Sequence, residues 1–412
     1  MTDQTPDAAD EVSVVREVTH REPTGGTPPA VDNGADLATA VARLAHGSGP
    51  IAIDAERASG YRYSQRAYLV QFAREGSGIV LVDPTMTDGI GTLVDLVNGL
   101  PWVLHAATQD LPCLREAGFR PTEVFDTELA ARLLGRPRVG LAALLEEELG
   151  IVLAKEHSAV DWSQRPLPAD WLAYAALDVE FLGVLHTRLL DALTDADRLT
   201  WYDEERALLT DFTGPAPREE PWRRVSGIHV LRDPRRLAIV RALWEARDER
   251  ARDLDVSPGR VLHDSVIVDL ARHAPATMPA MLALRPVHSR NARKDPEHWW
   301  HAIERARALT DAELPRRTQA EGTLPPPRSW AQRNPEAAAR WEVVRPAVVA
   351  TAESLGIAAE VLVSPDIVRQ FCWFGCEASP EGITADLRDR GARRWQTQAL
   401  APPFAVALRT LA

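Results

Sequence analysis

Residues 50–56, Pro50-Ile51-Ala52-Ile53-Asp54-Ala55-Glu56, read as a β-strand that runs out in two acids. Side chains alternate across a strand, so Ala52, Asp54 and Glu56 share one face while Ile51, Ile53 and Ala55 share the other. The apolar face predicts a packed sheet. The acidic face calls for a different explanation, because close carboxylates repel one another and resist joint ionisation unless a cation lies between them.

Working outward, Tyr68-Leu69-Val70-Gln71-Phe72 and Gly78-Ile79-Val80-Leu81-Val82-Asp83 read as two further strands. Helical patterns follow at 88–99, from about Thr108, and at 126–134, 140–149 and 168–192, with a strand at Trp102–His105. Three hairpin-like strands followed by αβα elements predict a mixed α/β sheet domain. Residues 1–34 carry Pro, Gly, Thr and acids with few large apolar side chains, which predicts a disordered acidic tail. From 233 onward helical periodicity dominates, with Leu237, Val240 and Trp244 on one face and Trp299, Ile303 and Ala306 on another. A proline-rich stretch containing Pro325-Pro326-Pro327 divides this half into two units. The expected segments are a tail at 1–34, a sheet domain at 35–215, a helical domain at 224–308, a linker at 309–329 and a second helical domain at 330–412. Val256-Ser257-Pro258 and Val363-Ser364-Pro365 form a faint echo between the two helical units.

The chain has 412 residues, too many for one ordinary core, and a formal charge of −12. Three cysteines and no apolar run of membrane-spanning length predict a soluble cytoplasmic protein without a disulfide framework. An acidic total argues against a polyanionic partner until it is divided: residues 1–220 carry −18, 221–320 carry +6 and 321–412 are neutral. Screening over about 8 Å makes the local patch the relevant quantity. A basic helical unit beside an acidic sheet domain restores nucleic acid as a partner. Only Lys155 and Lys294 are lysine, which fits a GC-rich genome as readily as a demand for arginine.

Two more acids stand out. Asp178 falls on the apolar stripe of its helix, four residues after Tyr174, where it needs a partner. Asp110 falls at the start of a helix, where the macrodipole alone would favour it. His105 closes a strand and reads either as a contact to a terminal nucleotide or as a structural group. Arg165 reads either as a phosphate contact or as a loop anchor. Cys372 and Cys376 lie in an apolar stretch with Trp373 and Phe374, without further ligands for a metal, and read as core.

In this order the acids resemble a known set. Asp54-Ala55-Glu56 with Tyr61-Arg62-Tyr63-Ser64, Leu104-His105-Ala106-Ala107-Thr108-Gln109-Asp110, Phe125-Asp126-Thr127, Asp161-Trp162-Ser163-Gln164-Arg165 and Tyr174-Ala175-Ala176-Leu177-Asp178 resemble the ribonuclease D family of DEDD 3′–5′ exonucleases with tyrosine in the last motif. Threonine is common where this chain has Ala55, a side chain expected to point away from the acids. The resemblance implies a ribonuclease H-like α/β exonuclease domain. It further implies that Asp54, Glu56, Asp110 and Asp178 hold two Mg²⁺ or Mn²⁺ ions and that Tyr174 orients or helps deprotonate the attacking water. Two such ions suit hydrolysis of a phosphodiester. Residues 227–308, through Asp233-Pro234, Leu243-Trp244, Val256-Ser257-Pro258 and Leu262-His263-Asp264, resemble an HRDC domain, which implies nucleic-acid binding. Residues 330–412 look like a second, diverged HRDC-like bundle.

The expected activity is therefore removal of nucleotides from RNA 3′ ends, such as those of tRNA precursors, by a monomer without membrane contact. The alternatives are a 3′–5′ DNA exonuclease acting on single-stranded DNA and a catalytically silent RNA-binding scaffold. Removing 221–412 is expected to leave cleavage of short oligomers intact.

Overall fold

Alternation at residues 50–56 becomes the central strand of a six-stranded mixed sheet. The computed structural model describes residues 19–87, 89–154, 160–285, 292–316 and 324–411. The chain enters through β1 (Thr19–His20), β2 (Ala30–Val31) and α1 (Gly34–His46), then forms β3 (Ser48–Arg57), β4 (Ala67–Glu75) and β5 (Gly78–Val82). It continues as α2 (Gly91–Asn98), β6 (Trp102–Leu104), α3 (Leu111–Glu116), β7 (Val124–Asp126), α4 (Thr127–Leu133), α5 (Leu141–Leu149) and β8 (Val152–Leu153). Helices α6 (Ala169–Glu180), α7 (Leu182–Asp195) and α8 (Leu199–Arg206) complete this half. The sheet order is β2-β5-β4-β3-β6-β7, with β4 antiparallel to both β3 and β5 and the remaining pairs parallel; β1 and β8 pair separately.

The two faces of β3 have different partners, as its alternation demands. Ile51, Ile53 and Ala55 join Leu44 of α1, Leu93 and Val97 of α2 and Leu111 and Leu114 of α3 in one core. Ala52 faces the other way, into a core with Val179 of α6 and Leu182, Leu185 and Leu189 of α7. Asp54 and Glu56 continue the Ala52 face, toward α6.

The second half is helical. One unit is α9 (Pro234–Leu254), α10 (Pro258–Val261), α11 (Asp264–His273), α12 (Met278–Leu282) and α13 (Pro296–Ala308), closed around Leu243, Ile267, Trp299 and Ile303. The other is α14 (Trp330–Arg333), α15 (Pro335–Leu355), α16 (Ala359–Leu362), α17 (Pro365–Phe374), α18 (Pro380–Asp389) and α19 (Arg394–Arg409).

Several expectations change. The helix predicted over 168–192 is two helices, broken at Phe181, so Asp178 lies in the last turn of α6 rather than mid-helix. The helix predicted from 126 is preceded by a three-residue strand, and Asp126 caps α4, its carboxylate accepting from the Glu128 and Leu129 amides. Such short strands carry too little alternation to be read locally. The tail predicted for 1–34 is structured where it is described: His20 pairs with Leu153 and Ala30 with Leu81, so partners far along the chain supply the order that local composition does not. Residues 1–18 lie outside the described residues. Cys372 is buried in the core as expected, and Cys376, past Gly375 and beyond the end of α17, is partly buried and packs against the same core.

The largest change concerns independence. Trp330, Val344, Val348, Phe371 and Phe404 share one continuous core with Leu144, Leu145, Leu182, Leu185 and Leu189 of the sheet domain. The sheet domain is therefore not closed on its own but shares its core with the C-terminal helices, an arrangement that the expected division into separate domains did not include.

Candidate active site

Register and helix spacing bring the acids together. Asp54 and Glu56 project two residues apart from the end of β3, and α6 crosses that face. Carboxylate oxygens of Asp54, Glu56 and Asp178 lie within 4.8 Å of one another. All three side chains are half-buried, so the cluster opens to solvent on one side. Tyr174 lies one turn before Asp178 on α6 and hydrogen-bonds its carboxylate. Asp110 is buried and precedes α3. It stands at the N-cap of that helix, as the sequence placed it, but makes no side-chain capping bond there; its carboxylate faces the guanidinium of Arg57 at 3.5 Å.

The turn that presents Asp110 is itself held by an acid. Ala106 adopts a left-handed conformation, φ 55°, which an alanine takes only when its surroundings impose it. The Asp126 carboxylate imposes it by accepting from the Ala106 and Ala107 amides at 3.0 and 2.9 Å. The Asp126 amide in turn donates to the Tyr202 hydroxyl at 2.7 Å. Burial raises Asp126 to about 6 against the lowering effect of the Ala107, Leu129 and Glu128 amides.

Electrostatically the four acids behave as one group. Burial is the first cause at each: it raises Asp54 to about 6 and lifts Glu56, Asp110 and Asp178 well above the usual carboxylate range. Mutual repulsion adds to this, with Asp54 acting on all three others. Arg57 is the cation that opposes it at Asp54, Glu56 and Asp110. The Tyr174 hydroxyl is raised by burial and then by Asp178, Glu56 and Asp54, so it keeps its proton at neutral pH. Sequence reading passed over Arg57 and gave Asp126 no role. The signal for Arg57 was its place directly after Glu56; nothing local marked Asp126, whose role depends on residues 20 positions earlier.

The donor set fits divalent metals. Every ligand atom is a carboxylate oxygen, the preference of hard cations such as Mg²⁺ and Mn²⁺, and the crowded charges are of the kind such ions neutralise. DEDD exonucleases use divalent metals, and this cluster has their composition.

The two remaining site candidates both have bonding partners within the fold. His105 meets the Thr127 hydroxyl through Nδ1 at 2.9 Å, and burial pushes its pKa down to about 4, leaving it neutral. Arg165 pairs with Asp83 and donates to the carbonyls of Trp162, Gln164 and Tyr68 and to the Thr85 hydroxyl. With its guanidinium so engaged, it anchors the loop ahead of α6.

Comparison with known proteins agrees with this arrangement. The family model described as 3′-5′ exonuclease matches residues 29–194, the HRDC domain model matches 236–303, and a model described as a 3′ to 5′ exonuclease C-terminal domain matches 323–408. Ribonuclease D of Pseudomonas paraeruginosa is 30% identical over 343 residues, covering 82% of this chain and 88% of that protein. Ribonuclease D of Gluconacetobacter diazotrophicus is 34% identical over 287 residues, covering 67% and 72%. A crystal structure of a protein from Bifidobacterium adolescentis superposes with a TM-score of 0.87 at 37% identity, over 95% of this chain and 99% of that one. Escherichia coli RNase D, at 23% identity and TM-score 0.67 over 92% and 98% of the two chains, shares the fold. With a relative of this identity matched along most of its length, and with the acids gathered on one sheet face, the chain belongs to the ribonuclease D family.

Proposed function

We propose that this chain is a metal-dependent 3′–5′ exoribonuclease that hydrolyses the 3′-terminal phosphodiester of RNA and releases nucleoside 5′-monophosphates. The convergence of Asp54, Glu56 and Asp178 oxygens within 4.8 Å, with Asp110 beside them, carries this reading. Asp54, Glu56, Asp110 and Asp178 would hold two Mg²⁺ or Mn²⁺ ions, which when bound supply hydroxide at neutral pH and stabilise the leaving oxygen. Water attacks phosphorus, the bond from phosphorus to the 3′-oxygen of the penultimate nucleotide breaks, and that oxygen takes up a proton. Tyr174, protonated and held by Asp178, orients the attacking water rather than deprotonating it. Asp126 fixes the turn that carries Asp110, and Arg57 offsets the negative charge of the cleft.

The substrate class we propose is structured RNA with a 3′ extension, such as a tRNA precursor; the structure of E. coli RNase D is described as that of an exoribonuclease involved in structured RNA processing. Residues 35–215 would form the catalytic unit and 330–412 its helical buttress. Residues 224–308 would contribute salt-dependent, sequence-independent RNA affinity through arginine. Three unpaired cysteines suit a cytoplasmic enzyme, and among the described residues no helix is long and apolar enough to cross a membrane.

The test is a gel assay of 5′-labelled RNA and DNA oligomers with Mg²⁺, Mn²⁺ or EDTA, alongside Asp54→Ala. An RNA ladder shortening from the 3′ end, abolished by EDTA and by the substitution, is expected. Intact RNA under every metal condition rejects the reading; cleavage of DNA in place of RNA moves the activity to the other sugar.

A further inference from the structure

Gln71 is the one buried side-chain amide, among the described residues, with neither its oxygen nor its nitrogen hydrogen-bonded, and its relative exposure is 0%. Buried polar groups are ordinarily paired, and leaving one unpaired is costly, so an orphan asks for a reason. The register supplies it. Gln71 on β4 stands directly opposite Asp54 on β3 and Leu81 on β5. Residues directly opposite in an antiparallel pair project to the same face with Cβ atoms about 4.5–5.5 Å apart. On that face Leu69, Ala73 and Leu81 flank it within the sheet, Ala52 and Glu56 lie diagonally across on β3, and Ala175 and Ala176 of α6 share a cluster with Leu69 and Leu81. An apolar side chain would suit this setting, and Asp54 is the polar group directly beside the amide.

We propose that Gln71 is a positioning residue for the acidic cluster: its Nε2–H donates to the Asp54 carboxylate when Asp54 turns to ligate a divalent cation. This rests on the metal-dependent reading above. A carboxylate has more lone pairs than one cation uses, and a donor on the remaining oxygen fixes the orientation of the ligand. The amide is neutral, so it adds no charge to a cluster already crowded with four acids. It reaches Asp54 from the neighbouring strand, leaving the solvent side open to substrate.

Full-length wild type, Gln71→Met and Gln71→Leu would be titrated with Mn²⁺ alone by calorimetry, with thermal midpoints measured in EDTA and in saturating Mn²⁺. Removing such a supporting donor typically weakens metal affinity about 10- to 100-fold. We expect that loss in both variants, together with an EDTA midpoint equal to or above wild type, because an unpaired polar group has been replaced by an apolar one. Unchanged Mn²⁺ affinity overturns the proposal, as does a fall in affinity matched by a fall in the EDTA midpoint, which would assign the side chain to packing. If wild type itself binds no Mn²⁺, the metal-dependent reading fails and takes this inference with it; if wild type binds and both variants bind equally, the Gln71 inference fails alone.

Discussion

Tyr174 shows how much a single residue's surroundings decide. A phenol beside three carboxylates is a poor base, since each neighbouring charge opposes a further one, and burial strengthens the opposition. Its contribution is a hydrogen bond in fixed geometry, of the kind whose removal from an active site costs about 100- to 1000-fold in rate. Tyr174→Phe is accordingly expected to lower kcat by about that factor while KM for a short RNA oligomer stays within about threefold, a split that steady-state kinetics in Mg²⁺ would reveal. A variant with wild-type kcat would remove Tyr174 from the mechanism. Of the candidates legible in the sequence, the four acids and Tyr174 meet in the fold, while His105 and Arg165, each with two readings in the sequence, have bonding partners in the surrounding structure.

Among the elements, the connection from β6 to α3 sets the geometry of the site. Its left-handed Ala106 brings Asp110 back toward β3, and the Asp126 carboxylate ties that turn to the start of α4 by accepting from four backbone amides. One side chain thus caps a helix and shapes a catalytic turn. Asp126→Ala removes a helix cap, about 1 kcal/mol, and leaves two further buried amides without their acceptor, at about 1–3 kcal/mol each. We expect it to lower stability by roughly 3–7 kcal/mol and activity about tenfold or more, read by chemical denaturation and by RNA cleavage below the unfolding transition. An unchanged denaturation midpoint would contradict the role given to Asp126. The sequence held Phe125-Asp126-Thr127 in plain view without showing the hold on the Asp110 turn, because the Ala106 and Ala107 amides come from a different strand connection.

At the scale of the whole molecule, the helical units are joined to the catalytic half by two unlike seams. Beside the active site, the loop after β3 grips the HRDC-type unit with polar bonds: Tyr63 donates to Asp248 at 3.0 Å, the Ser257 amide donates to the Tyr61 carbonyl at 2.9 Å, and Arg260 lies 4.1 Å over the Tyr61 ring. The Val-Ser-Pro echo divides its labour here. Ser257 bonds the catalytic half through the Gly60 carbonyl, whereas Ser364 caps its own helix. The second seam is apolar and tight: Trp201 stacks on Trp395 at 4.7 Å, Glu205 accepts from the Trp395 indole at 3.0 Å, and a methyl group added at Gly135 would collide with the Gly356 carbonyl. Deleting residues 324–412 would expose the apolar faces of α5 and α7 that Trp330, Phe371 and Phe404 share. Such a truncation is expected to lose more than about 10 °C in thermal midpoint, or to leave the soluble fraction, since each kcal/mol is worth about 2–4 °C in a domain of about 150–250 residues. A soluble fragment with the wild-type midpoint would show the seam to be incidental.

The sequence by itself determined the chemistry of the site. Alternation along 50–56 set Asp54 and Glu56 on one face, helical spacing placed Tyr174 one turn before Asp178, and ordered motifs named the family, because all of these are local properties of a few consecutive residues. Division of the −12 charge into an acidic, a basic and a neutral part was equally legible. Tertiary structure alone decided what depends on residues distant in the chain: the pairing of Ala30 with Leu81 that orders part of an apparent tail, the hold of Asp126 on the Asp110 turn, and the placement of Gln71 opposite Asp54. It also decided that the catalytic half and the C-terminal helices share one core. Periodicity shows which face of an element is apolar, and only folding shows which other element covers it.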